Sequence, residues 1–170
     1  MAETATISSR GAPPPRIVVA EDHVDTRELI ATMLSSGGFD VVAAPSGDFA
    51  LAVILSDGAD GLVSDFQMPG LDGLMLCRVL RGLRAYAALP IVVFTGVQNG
   101  DPRLLPLRDF NEVRILHKPI GFREIAPALI EMIPTSLVGL GAGIHSCAGA
   151  TGRPAVAVTP PHSTTSSAAR

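Results

Sequence analysis

Ile17-Val18-Val19-Ala20-Glu21-Asp22 is the stretch on which the fold turns. Four consecutive apolar residues leave no polar face, which suits a strand covered by helices above and below, as in a parallel sheet. The run then stops on two carboxylates. Asp25-Thr26-Arg27-Glu28 follows with the spacing of a capping box, so a helix is expected from about Asp25. Leu29, Ile30, Met33 and Leu34 give it an apolar stripe, and Gly37-Gly38 closes it.

The same alternation runs on from there. Phe39 to Ala44 is strand-like, and Ser46 is placed to cap a helix through about Leu55. Leu62-Val63-Ser64-Asp65 makes a third strand, and Asp72 starts a helix through about Leu83. Pro90 introduces Ile91-Val92-Val93-Phe94-Thr95, the most β-prone run of the chain. Val113 to Leu116 is a fifth strand, and 121–133 a last helix in which Pro127 is a candidate kink. Only 101–109 reads poorly. Asp101 caps and Pro102 suits a first turn, but Pro106 removes a backbone donor, so the fourth helix is expected to be short or distorted. Strands and helices in alternation give an α/β fold, a (βα)5 doubly wound sheet of five parallel strands.

The ends of the chain differ from this middle. Residues 1–15 are small and polar and finish in three prolines, as a flexible arm would. Residues 134–170 hold no acidic residue and are rich in Gly, Ala, Ser, Thr and Pro, a composition expected of a disordered tail. The folded domain is therefore expected at 16–133. Of 170 residues, 47% are hydrophobic, enough for one buried core. The net charge of −3, from 13 basic and 16 acidic residues, argues against a surface built to bind nucleic acid. Cys77 and Cys147 match no metal or redox spacing, and no apolar run reaches the roughly 18 residues of a membrane helix. A cytoplasmic protein without a membrane partner is expected.

In doubly wound sheets the functional crevice lies at the carboxyl ends of the strands. There the expected strands end in Glu21-Asp22, Asp65 and Thr95-Gly96, with Lys118-Pro119 just after the fifth. Three carboxylates, a hydroxyl and an ammonium are thus brought to one edge. Acids so close repel one another unless a cation neutralises them, and an all-oxygen donor set favours a hard ion such as Mg2+. A carboxylate beside such an ion and an ammonium is a suitable acceptor for a phosphoryl group. Each residue alone has an ordinary explanation: helix capping for Glu21-Asp22, turn chemistry for Asp65, a strand end for Thr95, a surface charge for Lys118. The set carries the reading, together with the fact that Lys118 is the only lysine among 13 basic residues.

Glu21-Asp22, the stretch Asp65-Phe66-Gln67-Met68-Pro69-Gly70-Leu71-Asp72-Gly73, Thr95-Gly96 and Lys118-Pro119 together resemble the receiver domain of two-component response regulators, over about 16–133. The resemblance implies the flavodoxin-like receiver fold and a phosphorelay function. Asp65 would accept the phosphoryl group from a phosphohistidine on a histidine kinase or a histidine phosphotransfer protein. Glu21, Asp22 and Asp65 would hold Mg2+, with the backbone carbonyl of Gln67 as a further ligand. Thr95 and Lys118 would bind phosphoryl oxygens, Gly96 would leave the site open, and Lys118-Pro119 would be a cis peptide. The chain would then be a regulatory phosphoacceptor rather than an enzyme, a stand-alone receiver that signals to a downstream protein target by contact, with no direct DNA binding.

One position departs from the family. Three residues before its phosphoryl-binding lysine the family usually carries Tyr or Phe, a ring that swings with the threonine, and here Ile115 stands there. The expectation is that phosphorylation is kept while its readout is atypical. Two rival readings remain: a pseudo-receiver scaffold that takes no phosphate, and an Asp-nucleophile phosphatase of the haloacid dehalogenase type. The latter wants Asp-x-Asp after its first strand, whereas Asp65 follows the third and position 67 is Gln. His23, His117, His145 and His162 show no ligand spacing and read as solvated or local structural groups. Gly139-Leu140-Gly141-Ala142-Gly143 lacks the strand–helix context of a dinucleotide loop.

Overall fold

The computed structural model describes residues 13–133. The expectations for residues 1–12 and 134–170 lie outside these described residues. Five strands, β1 (Arg16–Ala20), β2 (Asp40–Ala44), β3 (Gly61–Asp65), β4 (Ile91–Thr95) and β5 (Val113–His117), form one parallel sheet in the order β2-β1-β3-β4-β5. The helices are α1 (Val24–Ser36), α2 (Gly47–Asp57), α3 (Gly73–Gly82), α4 (Leu105–Arg108) and α5 (Ile125–Met132). The α/β fold expected from the alternating runs is the one observed.

The period of two along each strand divides the core into two layers. Val18, Leu62, Ile91 and Val93 pack with Ile54, Leu76, Leu80 and Leu107 under α2, α3 and α4. Ile17, Val19, Val63, Val92 and Phe94 pack with Ile30, Leu34, Ile125 and Leu129 under α1 and α5. Both faces being covered is the reason Ile17 to Ala20 and Ile91 to Phe94 read as unbroken apolar runs.

Ser46 and Asp72 cap their helices as expected, accepting from the amides of Phe49 and Met75. Two expectations need correction. Helix α1 begins before Asp25: His23 is the N-cap, with no side-chain cap bond, and Arg27 N donates to His23 O at 2.9 Å. The chain turns directly after the acidic pair, which moves Asp25 into the first helical turn. At the other end, 121–133 is not one helix, because a 3-10 turn over Ile120–Glu124 precedes α5. Pro127 sits in the first turn of α5, where an amide has no intrahelical partner to lose.

The fourth helix is short, as its prolines predict. A 3-10 turn (Pro102–Leu104) capped by Asp101 leads into the four residues of α4, where Pro106 again occupies a first turn. Arg81, in the last turn of α3, ties this half of the molecule together. Its guanidinium donates to the carbonyls of Tyr86, Leu89, Asn111 and Glu112, joining the segment before β4 to the segment before β5.

Candidate functional site

The site lies where β1 and β3 end side by side. Beyond β1 the chain places Glu21 almost fully buried (1% exposed), while Asp22 remains partly open to solvent. Arg27 holds this turn, its Nη1 donating to the carbonyl of Glu21 at 2.7 Å and of Asp22 at 3.2 Å. At the end of β3, Asp65 is 8% exposed and its Oδ1 accepts from the Phe66 amide at 2.7 Å. The loop that follows is closely fitted: Gly73 N donates to Phe66 O, and a Cβ on Gly73 would collide with the Asp65 carbonyl and the Phe66 Cα. A side chain at 73 would therefore push on the backbone that carries Asp65.

Lys118 crosses from the end of β5 to join the acids. Its Nζ stands 2.8 Å from Glu21 Oε2 and 3.3 Å from Asp65 Oδ2, and 5.4 Å from the centroid of the Phe94 ring. The peptide between Lys118 and Pro119 is cis, as expected. Lys118 N donates to Thr95 O at 2.8 Å, so the backbones of both residues meet at this edge. Thr95 is fully buried, and its Oγ1 accepts from Val97 N at 3.0 Å. That bond uses an oxygen lone pair and leaves the hydroxyl proton as a donor. Gly96, next to it, has no atom within 4 Å of where a Cβ would stand.

The structure thus brings Glu21, Asp22, Asp65, Thr95 and Lys118 to one edge of the sheet. Gln67 is exposed beside them and lines a cleft of about 560 Å3 with Met68, Leu74, Arg103 and Pro106. Ile115 stands apart from the acids. It is half-buried in β5 and lines a groove of about 410 Å3 against α4.

Two residues at the site escaped the sequence reading. His23 has its Nδ1 3.2 Å from Asp22 Oδ1 and 3.6 Å from Glu21 Oε1, so one donor atom each of Glu21, Asp22 and His23 falls within 4.8 Å of the others. Its place directly after the acidic pair was the available signal. Arg27 had no such signal, because its bonds to two carbonyls follow from the tight turn into α1. His117, whose Nδ1 lies 2.8 Å from Val97 O, is a local structural group as expected, though one bonded to the loop after β4.

Cys77 is no candidate nucleophile. It lies in the core under α3, and burial pushes its thiol up to about 12.

The family profile of the response regulator receiver domain matches residues 17–130. The chain belongs to this family. Response regulator MprA of Mycobacterium tuberculosis H37Rv is 40% identical over 110 residues, an alignment covering 65% of this chain and 46% of that protein. The chain spans about half the length of the curated relatives it matches. A sensor protein of Polaromonas sp. JS666 superposes with a TM-score of 0.63 at 30% identity, over 71% of this chain and 97% of that one. The signal receiver domain of a histidine kinase from Syntrophus aciditrophicus gives a TM-score of 0.66 at 19% identity, over 77% and 98%, and bears on the fold alone. Response regulator receivers act in two-component signalling, with phosphorylation and magnesium as general features. Among the described residues no helix is long and apolar enough to cross a membrane.

Proposed function

We propose that this receiver accepts a phosphoryl group on Asp65 from the phosphohistidine of a histidine kinase or histidine phosphotransfer protein, in a Mg2+-dependent step. The observation that carries this reading is the Lys118 ammonium held between Glu21 and Asp65. A buried acid pair with one cation is short of positive charge, and the donors at hand suit a hard ion. Carboxylate oxygens of Glu21, Asp22 and Asp65, with the Gln67 carbonyl, are the ligands Mg2+ prefers, whereas the His23 imidazole suits softer metals. When bound, such an ion would supply positive charge that offsets the acids and the phosphoryl group.

This chain's own residues do the rest. The Asp65 carboxylate attacks phosphorus, so that an O–P bond forms as the P–N bond to the imidazole breaks and the electron pair leaves on the histidine. Phe66 N holds Asp65 Oδ1 and thereby orients the carboxylate. The Lys118 ammonium and the Thr95 hydroxyl proton donate to phosphoryl oxygens. Gly96 and exposed Gln67 leave the approach open. The added charge then shifts the surrounding loops, and the output is a contact made with a downstream protein. A shift from 1:99 to 99:1 needs about 5.5 kcal/mol of differential stabilisation, on the scale of several charge-assisted bonds.

The test is incubation with acetyl phosphate and Mg2+, followed by intact-mass measurement. One phosphoryl group is expected on the wild type and none on Asp65→Asn. An unchanged wild-type mass would contradict the proposal and favour a scaffold that takes no phosphate.

A further inference from the structure

Two hydrogen bonds meet at one residue beside the site. Val97 N donates to Thr95 Oγ1 at 3.0 Å, and Val97 O lies 2.8 Å from His117 Nδ1. A carbonyl only accepts, so Nδ1 carries the imidazole proton and donates. His117 is the register partner of Thr95 across β4 and β5, and it lines the groove between β5 and α4 with Ile115, Leu104 and Leu107. Ile115 and His117 are two residues apart on a strand and so share a face. Ile115 has no polar atom with which to sense the β4 end, whereas His117 is bonded to it.

We propose that His117 is a positioning residue that carries the state of Thr95 into the groove between α4 and β5, with Val97 as the link. The inference rests on the phosphoacceptor reading. When the Thr95 hydroxyl turns to donate to a phosphoryl oxygen, the lone pair now bonded to Val97 N moves with it. Gly96 lies between the two residues in open space, so the backbone there pivots without collision. The amide and carbonyl of Val97 flank one Cα, and a pivot that displaces the first displaces the second. The imidazole then follows the carbonyl or loses it, and either outcome changes the wall of the groove. A hydrogen-bonded relay thus takes the place of a swinging ring at position 115.

The experiment uses the full chain, with 15N resonances of the His117 imidazole and of the Leu104 and Leu107 amides recorded before and after acetyl phosphate and Mg2+. Intact mass on the same sample gives phosphoryl occupancy. The wild-type Nδ1 resonance is expected to shift on phosphorylation, together with the α4 amides. At equal occupancy His117→Leu should lose most of the α4 response, and His117→Asn, whose side-chain NH2 sits near the Nδ1 position, should restore it. An unmoved His117 resonance in phosphorylated wild type overturns the relay, and this measurement stands even if His117→Leu fails to fold. An α4 response in His117→Leu equal to wild type also overturns it. Absence of any mass gain in wild type instead removes the phosphoacceptor reading, and the relay with it.

Discussion

The Lys118 ammonium stands 2.8 Å from Oε2 of Glu21, joining residues 97 positions apart in sequence. Glu21 is buried, so Lys118 neutralises a charge that water does not reach. Removing one partner of a buried pair leaves the other uncompensated, which costs about 3–5 kcal/mol when both are fully buried. Lys118 keeps some contact with solvent, so we expect Lys118→Met to lower stability by about 3 kcal/mol in metal-free buffer, measured by urea unfolding. A loss below about 0.5 kcal/mol, the range of ordinary surface substitutions, would show that the pair is not structural.

Magnesium should act on the same acids. Binding to the folded state alone stabilises by about 1.4 kcal/mol at ten times Kd. Thermal unfolding with and without Mg2+ should therefore show a concentration-dependent rise in Tm that chelation reverses. Glu21→Gln should reduce that rise sharply. An Mg2+ response unchanged in Glu21→Gln would remove this carboxylate from the ligand set.

Arg81 is a test of the framework rather than of the site. Its guanidinium satisfies four carbonyls around the segments leading into β4 and β5, among them Glu112, which adopts φ 56°. Bonds to charged groups contribute about 1.5–3 kcal/mol each and do not add. Arg81→Met is expected to cost about 3 kcal/mol in urea unfolding. Burial already lowers the Arg81 pKa, yet its bonds require the fork geometry, so Arg81→Lys should recover little of the loss.

The Asp101 carboxyl is held down to about 2 from 3.8, first by its side-chain bond to Arg103 and then by the Arg103 amide. A depressed folded-state pKa gives a contribution that is present above 3.8 and lost as pH falls through about 2. NMR titration of the Asp101 side chain should place its midpoint near 2 in the wild type. Arg103→Ala should return it toward 3.8, and an unchanged midpoint would contradict the pairing.

The fold was legible because both layers of helices press on strands that have no polar face. Ile17 to Ala20 and Ile91 to Thr95 announce themselves for that reason. The grouping of Glu21, Asp65, Thr95 and Lys118 was legible too, since strand ends in a parallel sheet share one edge. What stayed hidden depends on backbone geometry. The start of α1 directly after His23 depends on the tight turn that Arg27 clasps, and the two-part helix after Pro119 follows from a 3-10 turn that side-chain periodicity does not encode. The tie from His117 to Val97 runs between a ring and a carbonyl, and no spacing in the sequence reports it.

The proposed phosphoacceptor is Asp65 itself, and its modification can be read directly. An acyl phosphate is reduced by borohydride to the alcohol, converting the modified aspartate to homoserine. After treatment with acetyl phosphate and Mg2+, reduction and peptide mapping should find homoserine at position 65 and leave Asp22 and Asp72 unchanged. Conversion at another acid, or none at 65 in a sample whose intact mass shows the added group, would contradict the assignment of Asp65 as phosphoacceptor.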